Sequence, residues 1–453
     1  MLYHLFEALK EYDIPGQGLM SYLTFRAMMA SVTAMLISLV IGKRIIRWLQ
    51  KKQIGEEIRD LGLEGQMQKK GTPTMGGIII FIAIMVSVLL FADLTNIYTL
   101  ILLATTVWFA GLGFADDYIK VFRHNKEGLS EKAKLIGQVV FGLGLGLTVC
   151  FSPDIVVREK VQVEDRAAVT AVGSAKANGT AGLAENASGK ATASQTLDIN
   201  TEFKVRSGEW KEEDVVKSTK TTLPFIKNHE FDYKWLSPFK GTLGWYCKWA
   251  IYVLMIVLVI TACSNGTNLT DGMDGLTTGT STIVVVVLGI FAYLSGNIIN
   301  AGYLNIMYIP GTGEIGVFMA AFAGALIGFL WHNSYPAQVF MGDTGSLMIG
   351  GLIGVCAILI RKELLLPVLC GVFFVETLSV MIQRGYFKYT KRKYGAGRRV
   401  FKMTPLHHHF QKEGIQALVM KPARALPEAK IVVRFWIVGV ILAVLTVALL
   451  KVR

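Results

Sequence analysis

Charge is what this chain has least of. Only 17% of its 453 residues are Asp, Glu, Lys or Arg, whereas 52% are hydrophobic. A water-soluble domain carries closer to a quarter charged residues, so a large soluble core fits poorly. Cysteine is also sparse. The five (Cys150, Cys247, Cys263, Cys356 and Cys370) are odd in number, lie in or beside apolar stretches and show no metal-ligand spacing, which argues against a disulfide framework. A Walker phosphate loop is absent, as is an EF-hand calcium loop. The net charge of +13 comes without any DNA- or RNA-binding motif, so nucleic acid is a poor partner. The first apolar stretch is followed by Lys43, Arg44 and Arg47 rather than by a small-residue cleavage site, and reads as a span instead of a removable signal.

Long apolar blocks fill the space that charge leaves. Ten of them approach the roughly 20 residues that a membrane-spanning helix needs: about 22–42, 74–93, 97–114, 134–151, 244–262, 276–294, 314–331, 346–361, 364–385 and 431–450. The expectation is an all-α, polytopic membrane protein of ten helices. Lys and Arg set its orientation, because they accumulate in cytoplasmic loops. The first connection holds eight of them between Lys43 and Lys70, and the third holds Lys120, Arg123, Lys126, Lys132 and Lys134. The ninth is basic from Lys388 to Lys430, whereas the second and sixth have none. Odd-numbered connections are therefore cytoplasmic, and ten spans put both termini outside.

Three regions follow: 1–151 with four spans, 152–243 as an extracytoplasmic insertion, and 244–453 with six spans. The insertion holds 13 basic and 13 acidic residues and no sustained apolar period, so it reads as partly flexible.

Polar clusters on the cytoplasmic side exceed what leaving a membrane requires. "KKGTPTMGG" (69–77) sets Lys69, Thr72 and Thr74 among glycines, as either a phosphate-contacting loop or an ordinary turn and cap. "FADDYIK" (114–120) places Asp116 and Asp117 side by side, where each raises the cost of ionising the other. Lys120 follows at helical spacing, which suits either a plain ion pair or a carboxylate pair shared with a divalent cation and a phosphate. "NGTNLTDGMDGL" (265–276) repeats Asn265, Asn268, Asp271 and Asp274 every third residue with no cation among them, suggesting Mg²⁺ or a hydroxyl-rich ligand. "FMGDTGSL" (340–347) adds Asp343. "KMTPLHHHF" (402–410) adds His407, His408 and His409, whose side chains diverge too far to share one metal; one or two touching phosphate while the rest pack is the better reading.

These five motifs, in this order on alternate connections, resemble the phospho-N-acetylmuramoyl-pentapeptide transferase family over essentially the whole chain except 152–243. The resemblance implies a bacterial cytoplasmic-membrane enzyme, often dimeric, with its active site on the cytoplasmic face. It would move phospho-N-acetylmuramoyl-pentapeptide from UDP to undecaprenyl phosphate, releasing UMP and making lipid I, with Mg²⁺ as cofactor. Carried over by motif, Asp116 and Asp117 are the paired active-site aspartates and Asp343 binds the metal; one of the pair either deprotonates the lipid phosphate for direct attack, the favoured reading with Asp117 in the assisting role, or itself attacks to form a covalent intermediate. Asn268, Asp271 and Asp274 line the nucleotide and metal cleft, with Asp274 and Lys69 near the uracil and Thr74 and His408 as further substrate contacts. Lys120, Lys132 and His407 complete the site. The rival within the superfamily transfers N-acetylhexosamine 1-phosphate to the same lipid. A transporter would instead carry its charges near helix midpoints.

Overall fold

The computed structural model describes residues 1–8, 17–52, 71–123, 125, 128–158, 215–224 and 230–450. Among the described residues, eight helices are long and apolar enough to cross a membrane. In chain order, the helices that build the bundle and its site are α1 (Leu23–Lys51), α2 (Gly77–Phe91), α3 (Ile97–Phe122), α4 (Glu131–Phe151), α5 (Gly241–Thr270), α6 (Leu276–Ser295), α7 (Gly313–Asn333), α8 (Gly342–Leu359), α9 (Gly371–Tyr394), α10 (Leu406–Gln411) and α11 (Glu428–Leu449), with shorter helical turns between them. The chain is thus a multi-pass, all-α membrane protein. Of the ten expected spans, α2 has only 15 residues and α9 follows a short helical stretch, Glu363–Leu369, at an angle of 78°. The bend falls at Cys370 (φ −92°, ψ 24°), which ends the short stretch and opens α9, whereas Pro367 sits in the first turn of its own short α-helical segment, where no donor is needed.

Helix α8 is the centre of the bundle. Every residue from Thr344 to Leu359 is buried, and the helix lies against α3, α5 and α2. Without a hydrophobic drive between helices in lipid, close packing relies on small residues. Gly350 abuts the α5 backbone at Cys263 and Ser264, and Gly351 abuts the Phe109 ring of α3. A methyl group at either position would collide with its neighbour. Polar side chains add direct links: Ser264 Oγ donates to the Leu347 carbonyl at 3.3 Å, and Gln138 of α4 bonds Ser264 and Asn265 of α5. A second layer packs α7 along α1 and α6. It is tied by a buried bidentate pair between Arg26 and Glu314, in which Nη1 and Nη2 each donate to one carboxylate oxygen, at 2.9 and 2.5 Å.

The described parts of 152–243 form two short antiparallel pairs, β1 (Val157–Arg158) with β2 (Val215–Val216) and β3 (Lys220–Thr222) with β4 (Glu230–Asp232). The expectation for the long Ala/Ser/Gly-rich stretch lies outside the described residues. Its two ends, however, meet in β1 and β2. The β3 strand docks on the segment between α8 and α9: Thr222 N–H and Thr221 Oγ1 both donate to the Arg361 carbonyl, at 3.0 and 3.1 Å, and Lys362 Nζ donates to Thr222 Oγ1 at 2.6 Å. Tyr233 OH reaches Glu363 at 3.2 Å. Part of the insertion is therefore a buried brace.

Replacing 161–212 by a short Gly/Ser linker is expected to leave specific activity intact. Thr222→Val, which strands the fully buried Lys362 ammonium, is expected to cost roughly 2 kcal/mol. Initial rates test the first variant, and the melting temperature in detergent tests the second.

Candidate active site

The ends of α3, α5 and α8 meet at one point. Asp116 and Asp117 are adjacent on α3, so their side chains leave the helix about 100° apart. That divergence gives them different partners. Asp117 faces the start of α8, where the first amide groups of a helix have no internal acceptors. Its Oδ1 accepts from Asp343 N–H at 3.1 Å, and its Oδ2 accepts from Thr344 N–H at 2.8 Å and Thr344 Oγ1 at 2.6 Å. Asp117 is thus an N-cap supplied by another helix, favoured by both hydrogen bonding and the α8 dipole. Asp116 turns the other way, accepting from Leu129 N–H at 2.6 Å and meeting Lys120 Nζ at 2.6 Å and Lys134 Nζ at 3.0 Å.

Asp343, the second residue of α8, bridges the two halves. Its Oδ2 lies 3.1 Å from Lys120 Nζ and 2.5 Å from Lys134 Nζ, while its Oδ1 accepts from Asn268 Nδ2 at 2.8 Å. Asn268 also donates to Ser346 Oγ at 2.9 Å. Oxygens of Asp116, Asp117 and Asp343 lie within 4.8 Å of one another, the group among the described residues that could hold a metal ion. Three carboxylates and two ammonium groups leave one negative charge if all are ionised. A divalent cation would reverse that sign. Hard oxygen donors at this spacing fit Mg²⁺ or a similar ion.

The "GTPTMGG" motif locks this arrangement in place. Phe340 N–H donates to the Pro73 carbonyl, and Gly76 and Gly77 N–H donate to the Phe340 and Met341 carbonyls, all at 2.8 Å. The clasp delivers buried Thr74 to the start of α8. Gly342 has a φ of +73°, and a side chain there would press on Asp117 Oδ2 and Thr74 Oγ1. Lys69 lies outside the described residues.

The period of three in "NGTNLTDGMDGL" separates its residues instead of gathering them. Asn268 joins the acidic cluster, Asp271 ends α5, and Asp274, almost fully buried, accepts from Ala337 N–H at 3.0 Å. Asp274 N–H in turn donates to Glu428 Oε1 of α11 at 2.8 Å. A second group forms around this turn, where Gly272 lies directly against the His407 ring on α10. The His408 ring is 4.2 Å from that of His407, and His408 Nδ1 lies 3.1 Å from Gln411 Oε1. His409 packs: its Nδ1 accepts from Lys402 N–H at 3.1 Å, and its Nε2 lies 2.8 Å from the Lys421 carbonyl.

The comparisons with known proteins agree with this geometry. Residues 218–361 match the model of glycosyl transferase family 4, and 69–81 match phospho-N-acetylmuramoyl-pentapeptide-transferase signature 1. Proteins named phospho-N-acetylmuramoyl-pentapeptide-transferase are 53% identical in Parabacteroides distasonis, 52% in Porphyromonas gingivalis and 48% in Flavobacterium psychrophilum. Each alignment covers 100% of both chains. The chain belongs to the phospho-N-acetylmuramoyl-pentapeptide-transferase family. It is therefore a phosphosugar transferase, and the full-length matches show that its relatives run the same length, including the region of the insertion.

Two residues of the site were not singled out from sequence. From sequence, Lys134 is one loop cation among several, and the family resemblance points to Lys132 instead. Ser130 caps α4, its Oγ accepting from Ala133 N–H at 3.3 Å, which fixes the register of that helix. Two residues apart on a helix, Lys132 and Lys134 cannot face the same way. Lys134 meets Asp116 and Asp343, and Lys132 is exposed. The cap and the spacing together would have identified the choice, though not its outcome. Glu376, fully buried beside His407, carried no local signal.

Lys134→Ala is expected to lower transferase turnover by about 10²-fold, in line with loss of one preorganised electrostatic donor. Lys132→Ala should stay within about threefold, since an exposed charge is worth little. Initial rates of the two purified variants, compared with wild type, test the assignment.

Proposed function

We propose that the chain transfers phospho-N-acetylmuramoyl-pentapeptide from UDP-N-acetylmuramoyl-pentapeptide to undecaprenyl phosphate, producing lipid I and UMP. The observation that carries this reading is the convergence of Asp116, Asp117, Asp343, Lys120 and Lys134 at one end of the bundle. Such a reaction must bring a pyrophosphate and a phosphate together, and two lysines beside three metal-binding carboxylates address that repulsion. Mg²⁺ held by Asp116, Asp117 and Asp343 would supply further positive charge for the departing UMP. The family signature at 69–81 and the names of the full-length relatives favour this donor over UDP-N-acetylhexosamine.

The bonds around each carboxylate suggest a division of labour. Asp117 turns both oxygens to the start of α8, so it holds Asp343 and the helix dipole in register, and the remaining lone pair of Oδ1 is what it offers the ion. The assisting role expected for Asp117 from sequence suits Asp116 better, since Asp116 shares Lys120 and Lys134 with Asp343. Those lysines orient the lipid phosphate for direct attack on the donor's β-phosphorus, and the lipid tail confines that phosphate to the interface. Asp271, Asp274, Thr74, His407 and His408 form the surroundings of the nucleotide and sugar. The site end of the bundle faces the cytoplasm of a bacterial inner membrane, with ten spans and both termini outside. Two features support that orientation: the basic connections lie on the site side, and the brace at Arg361 lies at the opposite end of α8.

Given undecaprenyl phosphate and Mg²⁺, the purified protein should release UMP from UDP-N-acetylmuramoyl-pentapeptide and not from UDP-N-acetylglucosamine. Omitting lipid or chelating the metal should abolish release. Release from UDP-N-acetylglucosamine alone would move the chain to the rival transferase.

A further inference from the structure

His407 is held by a carboxylate from a distant part of the chain. Glu376 lies on α9, just beyond the 78° bend, and both it and His407 have no exposed surface. The two Glu376 oxygens accept from His407 N–H, at 3.1 and 3.4 Å, and Oε2 lies 3.2 Å from His407 Nδ1. A charged carboxylate buried in a membrane protein is costly unless it has a specific partner. Here it receives the start of α10 and one edge of the imidazole together. Among the described residues neither ring nitrogen completes a hydrogen bond: Nδ1 rests beside the carboxylate at 3.2 Å without hydrogen-bond alignment, and Nε2, also buried, faces the Asp271–Gly272 turn so closely that a Cβ at Gly272 would collide with it.

We propose that Glu376 is a positioning residue: it fixes the His407 ring so that Nδ1 carries a proton toward the carboxylate and Nε2 is presented to the Asp271–Gly272 turn, where it meets a polar group of the nucleotide-sugar donor. An ionised carboxylate only accepts, so at 3.2 Å it favours a proton over a lone pair on the nitrogen that faces it. The same logic governs carboxylates that orient imidazoles in catalytic triads and metal sites. Glu376 touches no substrate itself; it acts through His407.

This inference rests on the reading that His407 borders the donor. Glu376→Gln keeps an acceptor for the backbone amide and removes the charge that orients the ring. It should raise KM for the UDP-linked donor about tenfold, the value of a hydrogen bond to a charged group, while KM for the lipid stays within about twofold. Glu376→Asp should recover part of the loss. The double variant Glu376→Gln/His407→Ala should match His407→Ala alone, because one residue works through the other. A purely structural Glu376 would instead lower the melting temperature and leave the donor KM unchanged, or give additive losses; either result overturns the proposal. If His407→Ala leaves the donor KM untouched, the donor-site reading falls with it. If His407→Ala raises that KM and Glu376→Gln does not, only the positioning role falls. Nitrogen NMR of ring-labelled histidine in wild-type protein gives a readout independent of Glu376 variants. The chain has seven histidines, and the His407 signals are the ones missing from His407→Gln. A protonated Nδ1 supports the proposal, and a bare Nδ1 contradicts it.

Discussion

Three carboxylates cannot share a small volume at a membrane interface unless positive charge comes with them, and the rest of the structure is organised to supply it. Oxygens of Asp116, Asp117 and Asp343 approach within 4.8 Å. Part of the compensation is built in. The α8 N-terminus faces Asp117, and Lys120 and Lys134 sit between Asp116 and Asp343. The same oxygens could hold a cation that supplies the remainder. With all five groups ionised the site is one positive charge short, which suits it to take up a divalent ion together with anionic substrates, because each arrival makes the next more favourable.

That demand explains why α8 occupies the centre. Its N-terminus has to be held rigidly against α3, and a helix buried along its whole length moves little. Small residues allow α3 and α5 to approach it, and the "GTPTMGG" clasp fixes the segment that enters it. At its other end, Arg361 and Lys362 are gripped by β3. The insertion is therefore remote from the chemistry and still joined to the helix that carries Asp343. The bend before α9 serves a different end, setting Glu376 beside the histidine motif.

Much of this was legible in the sequence, because hydrophobic length and charge asymmetry are strong signals in a bilayer. All ten apolar blocks correspond to helical segments, although α2 is shorter than expected and the ninth block is bent. The acidic motifs were visible as carboxylates without neighbouring cations in their own loops. What stayed hidden depends on direction. Adjacent aspartates look equivalent in a sequence, yet on a helix they face different partners, so Asp117 became a cap and Asp116 a lysine ligand. The choice of Lys134 over Lys132 is likewise a matter of helical phase. A repeat of three in 265–274 suggested one aligned face, but α5 ends within it and the residues separate. Glu376 was out of reach because its partner lies 31 residues away.

The central claim is that Asp116, Asp117 and Asp343 form one cation site whose occupation completes the charge balance. The most direct test is electron paramagnetic resonance of Mn²⁺, as a hard-ion stand-in for Mg²⁺, titrated into the purified protein with and without UMP. The account predicts one bound Mn²⁺ per chain, tightened by UMP and lost in Asp343→Asn without loss of folding. Undiminished Mn²⁺ binding in folded Asp343→Asn would contradict it.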